Sequence, residues 1–414
     1  MKFRALIAFT ALFLSLFIAT PSDARNRATD IFSSTSVSQI TIALSSQNAA
    51  KIAKAPKVGV PATFSITNDE GSLDYSNLPI KFHLKGSSTL EQNPSLTSSR
   101  PSLRVKFHQD GVIKLPFLGS LKSLTLNSMS QDSSRIHEYT AYRLYNAMNI
   151  PAPRVGYATI NVVIGGRVYN KGLFAIIEPY DDVFLSQHYD NHTQHLYEPC
   201  KYWTDVTRGD ISKGGASCTN SLFQVKEGWK HTPNKLDLRA LSSIQKISNK
   251  KLWWQAMGRY TDRAEMIRKW AVDNFISAWD SYSGSIVNNY YLRSDSLGVF
   301  TMLPTGPDET FEYNYKMDAT SIGYPRIYSD FGIKSMGRGA MFTKCLNYRP
   351  CLNEYLDDLK LAKEAAKTSD INGQIDQIAS TLKGLAPSWA AASVKNWIAM
   401  KGTDVDALLT KYGR

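Results

Sequence analysis

Four oxygen-bearing side chains lie close together in the sequence, on either side of a strand-like segment. Asp280 opens the stretch DSYSGSIVNNYYLR, Asn288 and Asn289 lie further along it, and Asp308 follows in PTGPDETF. Carboxylate and amide oxygens are the ligands that a hard cation such as Mg²⁺ takes, and a further carboxylate can orient or deprotonate a hydroxyl group. These residue types suit transfer of a phosphoryl group from a metal-bound nucleotide.

A β-hairpin is predicted to bring these residues together. The run IVNNYYLR is typical of a strand, SDSLG of a turn, and VFTMLP of a returning strand. If the turn centres near Ser296, Asn288 lies beside Pro304, and Asp308 faces Asp280 across a narrow open space. The alternative is that Asp280 caps a turn, the two amides bond to neighbouring backbone, and Asp308 is a solvated loop acid.

The elements before the hairpin divide the chain into two halves. Up to residue 178, short β-branched or aromatic runs alternate with Gly, Pro, Asn and Ser, which predicts an antiparallel sheet. These runs are SQITIALS, IKFHLKG, SLRVKF, SLTLNSM, VGYATINVVI and GLFAIIE. After residue 178 the pattern becomes helical, with helices expected at roughly 181–189, 236–250 and 262–279 and several beyond 352. The predicted fold class is therefore α+β, with a sheet-rich N-lobe and a helical C-lobe.

One helix is expected within the sheet-rich half. Asp132 can cap its start, and Ala141, Leu144 and Tyr145 recur at helical spacing on one buried face. Glu138 lies at the edge of that face, close to whatever the helix packs against.

The first residues indicate export. Basic residues, an apolar run and the small-residue stretch SDA predict a signal peptide over 1–24, although an uncleaved anchor is an alternative. The predicted order after it is an N-terminal segment (25–57), the N-lobe (58–180), the C-lobe (181–360) and a C-terminal helical region (361–414). We expect no membrane span after signal removal and a periplasmic, cell-surface or secreted location.

Charge and cysteines agree with that setting. The net charge of +12 suits anionic partners such as nucleotides, envelope polymers or acidic proteins, or else reflects a solvated basic surface. The sequence contains no basic stripe with interleaved aromatic residues, so nucleic acid is not predicted as a partner. Two local disulfides, Cys200 with Cys218 and Cys345 with Cys351, are expected in an oxidising compartment.

Ordered blocks of the sequence resemble the CotH (spore coat protein H) family, whose members are atypical relatives of protein kinases. The blocks include KGSS, RPSLRVKF, GLFAIIEPYDDVFL, WDSYSGSIVNNYYL and MLPTGPDETF, and CLNYRPCLNEYL looks like a cysteine-containing segment of exported members. The resemblance covers roughly residues 35–360 and implies a two-lobed atypical protein-kinase-like fold that uses ATP and Mg²⁺ or Mn²⁺.

The resemblance also implies roles for individual residues. Asp280 matches the acid of the family's catalytic loop, Asn289 or its neighbour Asn288 the metal-binding amide, and Asp308 the metal-binding acid. Lys85 or Lys106 would contact the nucleotide phosphates. Lys106 is preferred because it lies on the strand face opposite Leu103, Val105 and Phe107, and Glu138 would pair with it.

One departure from the family pattern leaves two functions open. Many members carry Trp-Asp-x-Asp where this chain has Thr305-Gly306-Pro307-Asp308, so the first acid is missing. The first hypothesis is an exported kinase that phosphorylates Ser or Thr of an envelope, coat or secreted protein. The second is a catalytically weak or inactive protein of the same fold that binds a partner or polysaccharide during envelope assembly.

Overall fold

The architecture comes from a computed structural model. It describes residues 31–68, 74–86, 88–107, 121–199, 207, 209–213, 223–228, 235–312 and 337–414. The predicted signal peptide and Cys200 and Cys218 lie outside these residues.

The N-lobe is a seven-stranded sheet that closes on itself. Its strands are β1 Ser38–Leu44, β2 Val60–Thr67, β3 Asp74–Lys85, β4 Ser102–Phe107, β5 Ser123–Asn127, β6 Val155–Ile164 and β7 Arg167–Ile177. The spatial order is β1-β2-β3-β4-β5-β7-β6, and β6 returns to pair with β1. That last pair is parallel, so the prediction of a wholly antiparallel sheet is wrong at this seam.

Alternation along the strands builds the interior of the closed sheet. In β4, Leu103, Val105 and Phe107 point inward and are buried, whereas Arg104 and Lys106 lie on the outer face. Phe64 and Phe107 meet edge to face within this core. Arg104 and Lys106 are therefore β4 side chains that lie outside the core of the closed sheet.

Two short helices, α1 Ser46–Lys54 and α2 Ser88–Gln92, and one longer helix, α3 His137–Ala147, accompany the sheet. In α3, the predicted buried face is confirmed for Ala141, Leu144 and Tyr145. Asp132 accepts the backbone N–H of His137 at 3.0 Å but lies five residues upstream, and Ile136 is the N-cap residue. Asp132 thus accepts a backbone N–H group at the start of α3 from the preceding turn.

The C-lobe combines helices with a small sheet. Its helices are α4 Asp182–His188, α5 Leu236–Ile244, α6 Lys250–Tyr260, α7 Arg263–Phe275, α8 Ala340–Leu346, α9 Arg349–Thr368, α10 Ile371–Thr381 and α11 Ala390–Lys411. The sheet contains β8 Thr193–Pro199, β9 Phe223–Glu227, β10 Tyr290–Asp295 and β11 Phe300–Pro304, in the order β11-β10-β8-β9. The α+β fold class, with its sheet-rich and helical lobes, is confirmed.

The helix predicted over 236–250 ends at Ile244, and a second helix, α6, begins at Lys250. The Asn249 side chain accepts the backbone N–H of Leu252 and so caps the start of α6. Asparagine favours such caps over helix interiors, because its short amide competes for backbone hydrogen bonds.

The C-terminal helices complete the core of the C-lobe. Helix α9 packs along α7 and contacts α3, and the predicted boundary at residue 360 falls inside it. The expected Cys345–Cys351 disulfide is present and joins α8 to α9. None of the helices in the described part of the chain is long and apolar enough to cross a membrane.

Candidate functional site

The hairpin forms with a register that differs from the predicted one. Tyr290 pairs with Pro304, so Asn288 precedes the ladder. The turn centres near Leu297, because the Asp295 carboxylate accepts the N–H groups of both Leu297 and Val299. The shift changes the pairing by an even number of residues, so the side chains of the strands keep their predicted faces.

The loop between α7 and β10 folds back on itself and positions Asp280. The Trp279 carbonyl accepts the backbone N–H groups of Ser285 and Ile286. A Cβ atom at Gly284 would lie 2.2 Å from that carbonyl oxygen, so this position requires glycine. The small connector in the sequence is therefore a tight loop that holds Asp280 at its start.

Both adjacent amides turn to the Asp280 carboxylate. The side-chain nitrogens of Asn288 and Asn289 lie 3.3 and 3.0 Å from Asp280 Oδ2. Adjacent side chains in a strand point to opposite faces, but Asn289 has a left-handed backbone with φ of 43°. The predicted convergence of the acid with the two amides is what the structure shows, although their role in metal binding stays a prediction.

The loop after β11 closes the other side of a small pocket. Its lining residues are Tyr145, Ala278, Asp280, Ser281, Asn289, Thr305, Gly306, Pro307, Glu309 and Thr310. The acid that lines this pocket opposite Asp280 is Glu309, which accepts a hydrogen bond from Gln131 at 2.8 Å. Asp308 is not among these lining residues, so the lining does not place it opposite Asp280 as expected.

Asp308 belongs instead to a cluster of acids beneath the N-lobe. Burial and the Asp132 carboxylate raise the pKa of Asp308, whereas Lys85 and Asn127 lower it. Burial and Asp308 raise the pKa of Glu138 to about 8, and the Asn127 amide donates to Glu138 at 2.7 Å. Glu138 and Asp308 thus repel each other in a desolvated environment.

Lys85 is the lysine near this cluster. Its charge lowers the pKa of both Glu138 and Asp308. Lys106 pairs in the sheet with Lys81 and Ser123, and no ion pair joins it to Glu138 in the described residues. The predicted pairing of Lys106 with Glu138 is therefore wrong: strand alternation gives the correct outer face, but Lys106 lies at the opposite end of β4 from Ser102, the partner of Lys85.

A continuous chain of hydrogen bonds links the two acidic groups. The Tyr142 hydroxyl lies 3.4 Å from Glu138 Oε1 and accepts the Gly306 N–H at 3.2 Å. The Gly306 carbonyl accepts from the Asn289 amide at 3.3 Å, and that amide also reaches Asp280. Glu138 and Asp280 therefore lie on the two sides of one polar cleft between the lobes.

Comparison with known proteins identifies the family. Residues 82–396 match the family described as CotH kinase protein, which is well over half of the chain. The chain belongs to the CotH kinase family. No curated protein matches the sequence.

Two solved structures are similar at low identity. A chain of the Shewanella oneidensis MR-1 HipA–HipB toxin–antitoxin complex with operator DNA is 12% identical, with a TM-score of 0.35. The match covers 76% of this chain and 65% of that one, which is just under two thirds of its length. The Helicobacter pylori proinflammatory kinase CtkA is 9% identical, with a TM-score of 0.33, and the match covers 75% of this chain and 93% of CtkA.

A CotH-family kinase is expected to use a divalent metal, and the donor chemistry of this cleft fits one. In the described residues, no three His, Cys, Asp or Glu side chains are already arranged as a metal site. However, Glu138 is buried and Asp308 is half-buried, the Asp308 carboxylate raises the pKa of Glu138, and a cation would relieve that repulsion. The fit therefore involves Glu138 and Asp308 on the N-lobe side of the cleft.

The sequence pattern did not indicate the polar groups that hold the loop beginning at Asp280 in place. Asp273 in α7 accepts hydrogen bonds from Lys269, Tyr145 and Ser283 at 2.8, 2.6 and 2.8 Å. The available signal was a Lys and an Asp four residues apart in one helix, Lys269 and Asp273. Asn127 was also missed, because only the fold places the end of β5 beside Glu138.

Proposed function

We propose that this protein is an exported CotH-family kinase that transfers the γ-phosphoryl group of a Mg-nucleotide to Ser or Thr hydroxyls of an envelope, coat or secreted protein. The observation that carries the proposal is the hydrogen-bonded chain from Glu138 through Tyr142, Gly306 and Asn289 to Asp280. It joins an acid suited to the acceptor hydroxyl to acids suited to the nucleotide side of one cleft.

Asp280 is the residue that would act on the acceptor. The amides of Asn288 and Asn289 fix its carboxylate, which lines the pocket next to open space. The substrate oxygen forms a bond to the γ-phosphorus, the bond from that phosphorus to the β-phosphate oxygen breaks, and the nucleoside diphosphate leaves. Asp280 orients the hydroxyl and accepts its proton.

The N-lobe side would bind the phosphates. Lys85 supplies a positive charge beside Glu138 and Asp308, and its flexible ammonium suits phosphate oxygens. Glu138 and Asp308 would hold a divalent cation, which supplies charge neutralisation to the nucleotide phosphates. Glu138 must release its proton before it can act as a ligand, so cation binding should strengthen as the pH rises toward the Glu138 pKa of about 8.

Export is supported by the N-terminal sequence pattern and by the Cys345–Cys351 disulfide. Disulfides persist in oxidising compartments and are rare in the reducing cytosol. A substrate in the same compartment, such as an envelope or secreted protein, follows from that location.

The test is phosphoryl transfer by the oxidised protein. The wild type is incubated with γ-labelled ATP and Mg²⁺ or Mn²⁺, with casein and the protein itself as acceptors. Asp280→Asn should lower the rate by about 10²–10⁴-fold, because it removes the group that accepts the proton. Asp190→Asn, which changes an exposed acid in a C-lobe loop, is the matched control and should leave the rate unchanged.

The same samples separate the two functions. Nucleotide-induced thermal stabilisation without label transfer would support an inactive CotH-family binding protein, which the missing first acid at Gly306 favours. The absence of both nucleotide-induced stabilisation and label transfer would contradict the kinase proposal.

A further inference from the structure

Two tyrosines on one helix reach both loops of the candidate site. Tyr142 and Tyr145 are three residues apart in α3, so their side chains lie on the same face. Both are buried, and burial raises the pKa of each hydroxyl well above its usual value. They are therefore neutral hydrogen-bonding groups throughout the physiological range.

Tyr145 reaches the loop that begins at Asp280. Its hydroxyl donates to Asp273 Oδ1 at 2.6 Å, and Ser283 donates to Oδ2 of the same carboxylate at 2.8 Å. Lys269 balances the charge of Asp273 from one helical turn away. A buried carboxylate thus connects α3 to the middle of the Asp280 loop.

Tyr142 reaches the loop that follows the hairpin. Its hydroxyl accepts the backbone N–H of Gly306 at 3.2 Å, and Gly306 is the residue whose carbonyl accepts from Asn289. The same tyrosine lies against Glu138 on its own helix. One hydroxyl therefore contacts both the N-lobe acid and the turn that carries Asp308 and Glu309.

We propose that Tyr142 and Tyr145 are positioning residues, which set the separation between the Asp280 loop and the 305–310 loop by fastening both to α3. Neither tyrosine needs to touch the reacting atoms. Loss of one hydroxyl should release one loop and leave the other in place, because each tyrosine contacts a different loop.

Hydrogen exchange of single-hydroxyl variants tests this directly. Tyr145→Phe should speed exchange at Gly284 and Ser285, whose N–H groups bond within the Asp280 loop, by about tenfold. Tyr142→Phe should speed exchange at Gly306 by a similar factor and leave Gly284 unchanged. Ser283→Ala removes the loop's own bond to Asp273 and should reproduce the Tyr145→Phe pattern without altering α3.

Tyr139→Phe is the matched control. Tyr139 is on the same helix and equally buried, but it packs against Tyr157, and no hydrogen bond joins its hydroxyl to either loop in the described residues. The proposal is overturned if the three tyrosine variants exchange alike, or if exchange rises evenly across the C-lobe.

A kinetic arm, which rests on the proposed kinase function, adds a second readout. Tyr145→Phe should lower kcat about tenfold and change the nucleotide KM by less than twofold, since misplacement of Asp280 affects the transfer step. A tenfold rise in the nucleotide KM with an unchanged kcat would overturn the positioning role. If the wild type transfers no phosphate, the proposed function fails, whereas the loop-specific exchange pattern still supports the positioning inference.

Discussion

Asp273 and Glu138 are two acids with almost the same burial and opposite surroundings. Their exposed fractions are 1% and 4%. Asp273 accepts three hydrogen bonds, one of them from the Lys269 ammonium. Glu138 accepts from Asn127 and Tyr142 and lies beside Asp308, which has the same charge.

The difference separates an acid whose charge is balanced by hydrogen-bond donors within the protein from an acid that lies beside a like charge. A buried carboxylate with a cation and two hydroxyl donors is compensated within the protein. A buried carboxylate beside another carboxylate retains its proton until a cation arrives. In this fold, Asp273 anchors the Asp280 loop, whereas Glu138 and Asp308 are the acids to which we assign the proposed cation.

Removing Asp273 should have the largest effect. Asp273→Ala leaves the Lys269 ammonium buried without its partner, and we expect a loss of about 3–5 kcal/mol in the free energy of unfolding. Denaturant unfolding monitored by fluorescence measures the change. The surface pair Lys363–Asp406 is the control, and Asp406→Ala should cost less than about 1 kcal/mol. A similar small loss in both variants would contradict the anchoring role of Asp273.

Glu138 should instead make stability depend on pH. Its pKa of about 8 in the folded protein lies above the ordinary value of 4.5 for a glutamate, so the folded state binds the proton more tightly than the unfolded state does. This contribution is complete below about pH 4.5 and is lost as the pH rises through 8. Glu138→Gln removes it, so the variant should gain stability relative to the wild type as the pH rises, by several kcal/mol at most.

The measurement is the difference between the two unfolding free energies from pH 5 to pH 9. Burial also raises the pKa values of Glu265 and Asp358 to about 7, but these groups titrate in both proteins and cancel in the difference. A difference that stays constant with pH would show that Glu138 is compensated as Asp273 is.

The contrast between these acids also marks how far the sequence alone leads. Periodicity identifies the sheet-rich and helical halves, the buried face of α3 and the hairpin, because those features depend on local spacing. The family blocks single out Asp280 and the amide pair, which share one loop. These parts of the site are local in sequence, so pattern and resemblance reach them.

Long-range pairing decides the rest. The parallel seam between β1 and β6 and the alignment of Lys85 with Ser102 join segments that are separated in the sequence. The sequence also does not show which of the two adjacent acids, Asp308 or Glu309, lines the pocket with Asp280. The choice between Lys85 and Lys106 failed for this reason: alternation shows the face of a strand but not its position along the cleft.

That choice supplies the smallest and most specific test. Lys85→Met removes the cation near Glu138 and Asp308, so it should cost more stability at pH 8, where Glu138 ionises, than at pH 5, where Glu138 is protonated. Because Lys85 is exposed, we expect less than about 1 kcal/mol. Lys106→Met, an equally exposed change on the neighbouring strand, should show no such pH dependence. In a Glu138→Gln background the effect of Lys85→Met at pH 8 should shrink, since one of the two charges that it balances is gone. If Lys106→Met showed the pH-dependent loss instead, Lys106 would be the lysine of the cleft, and the acids beneath the N-lobe would have to lie nearer the other end of β4.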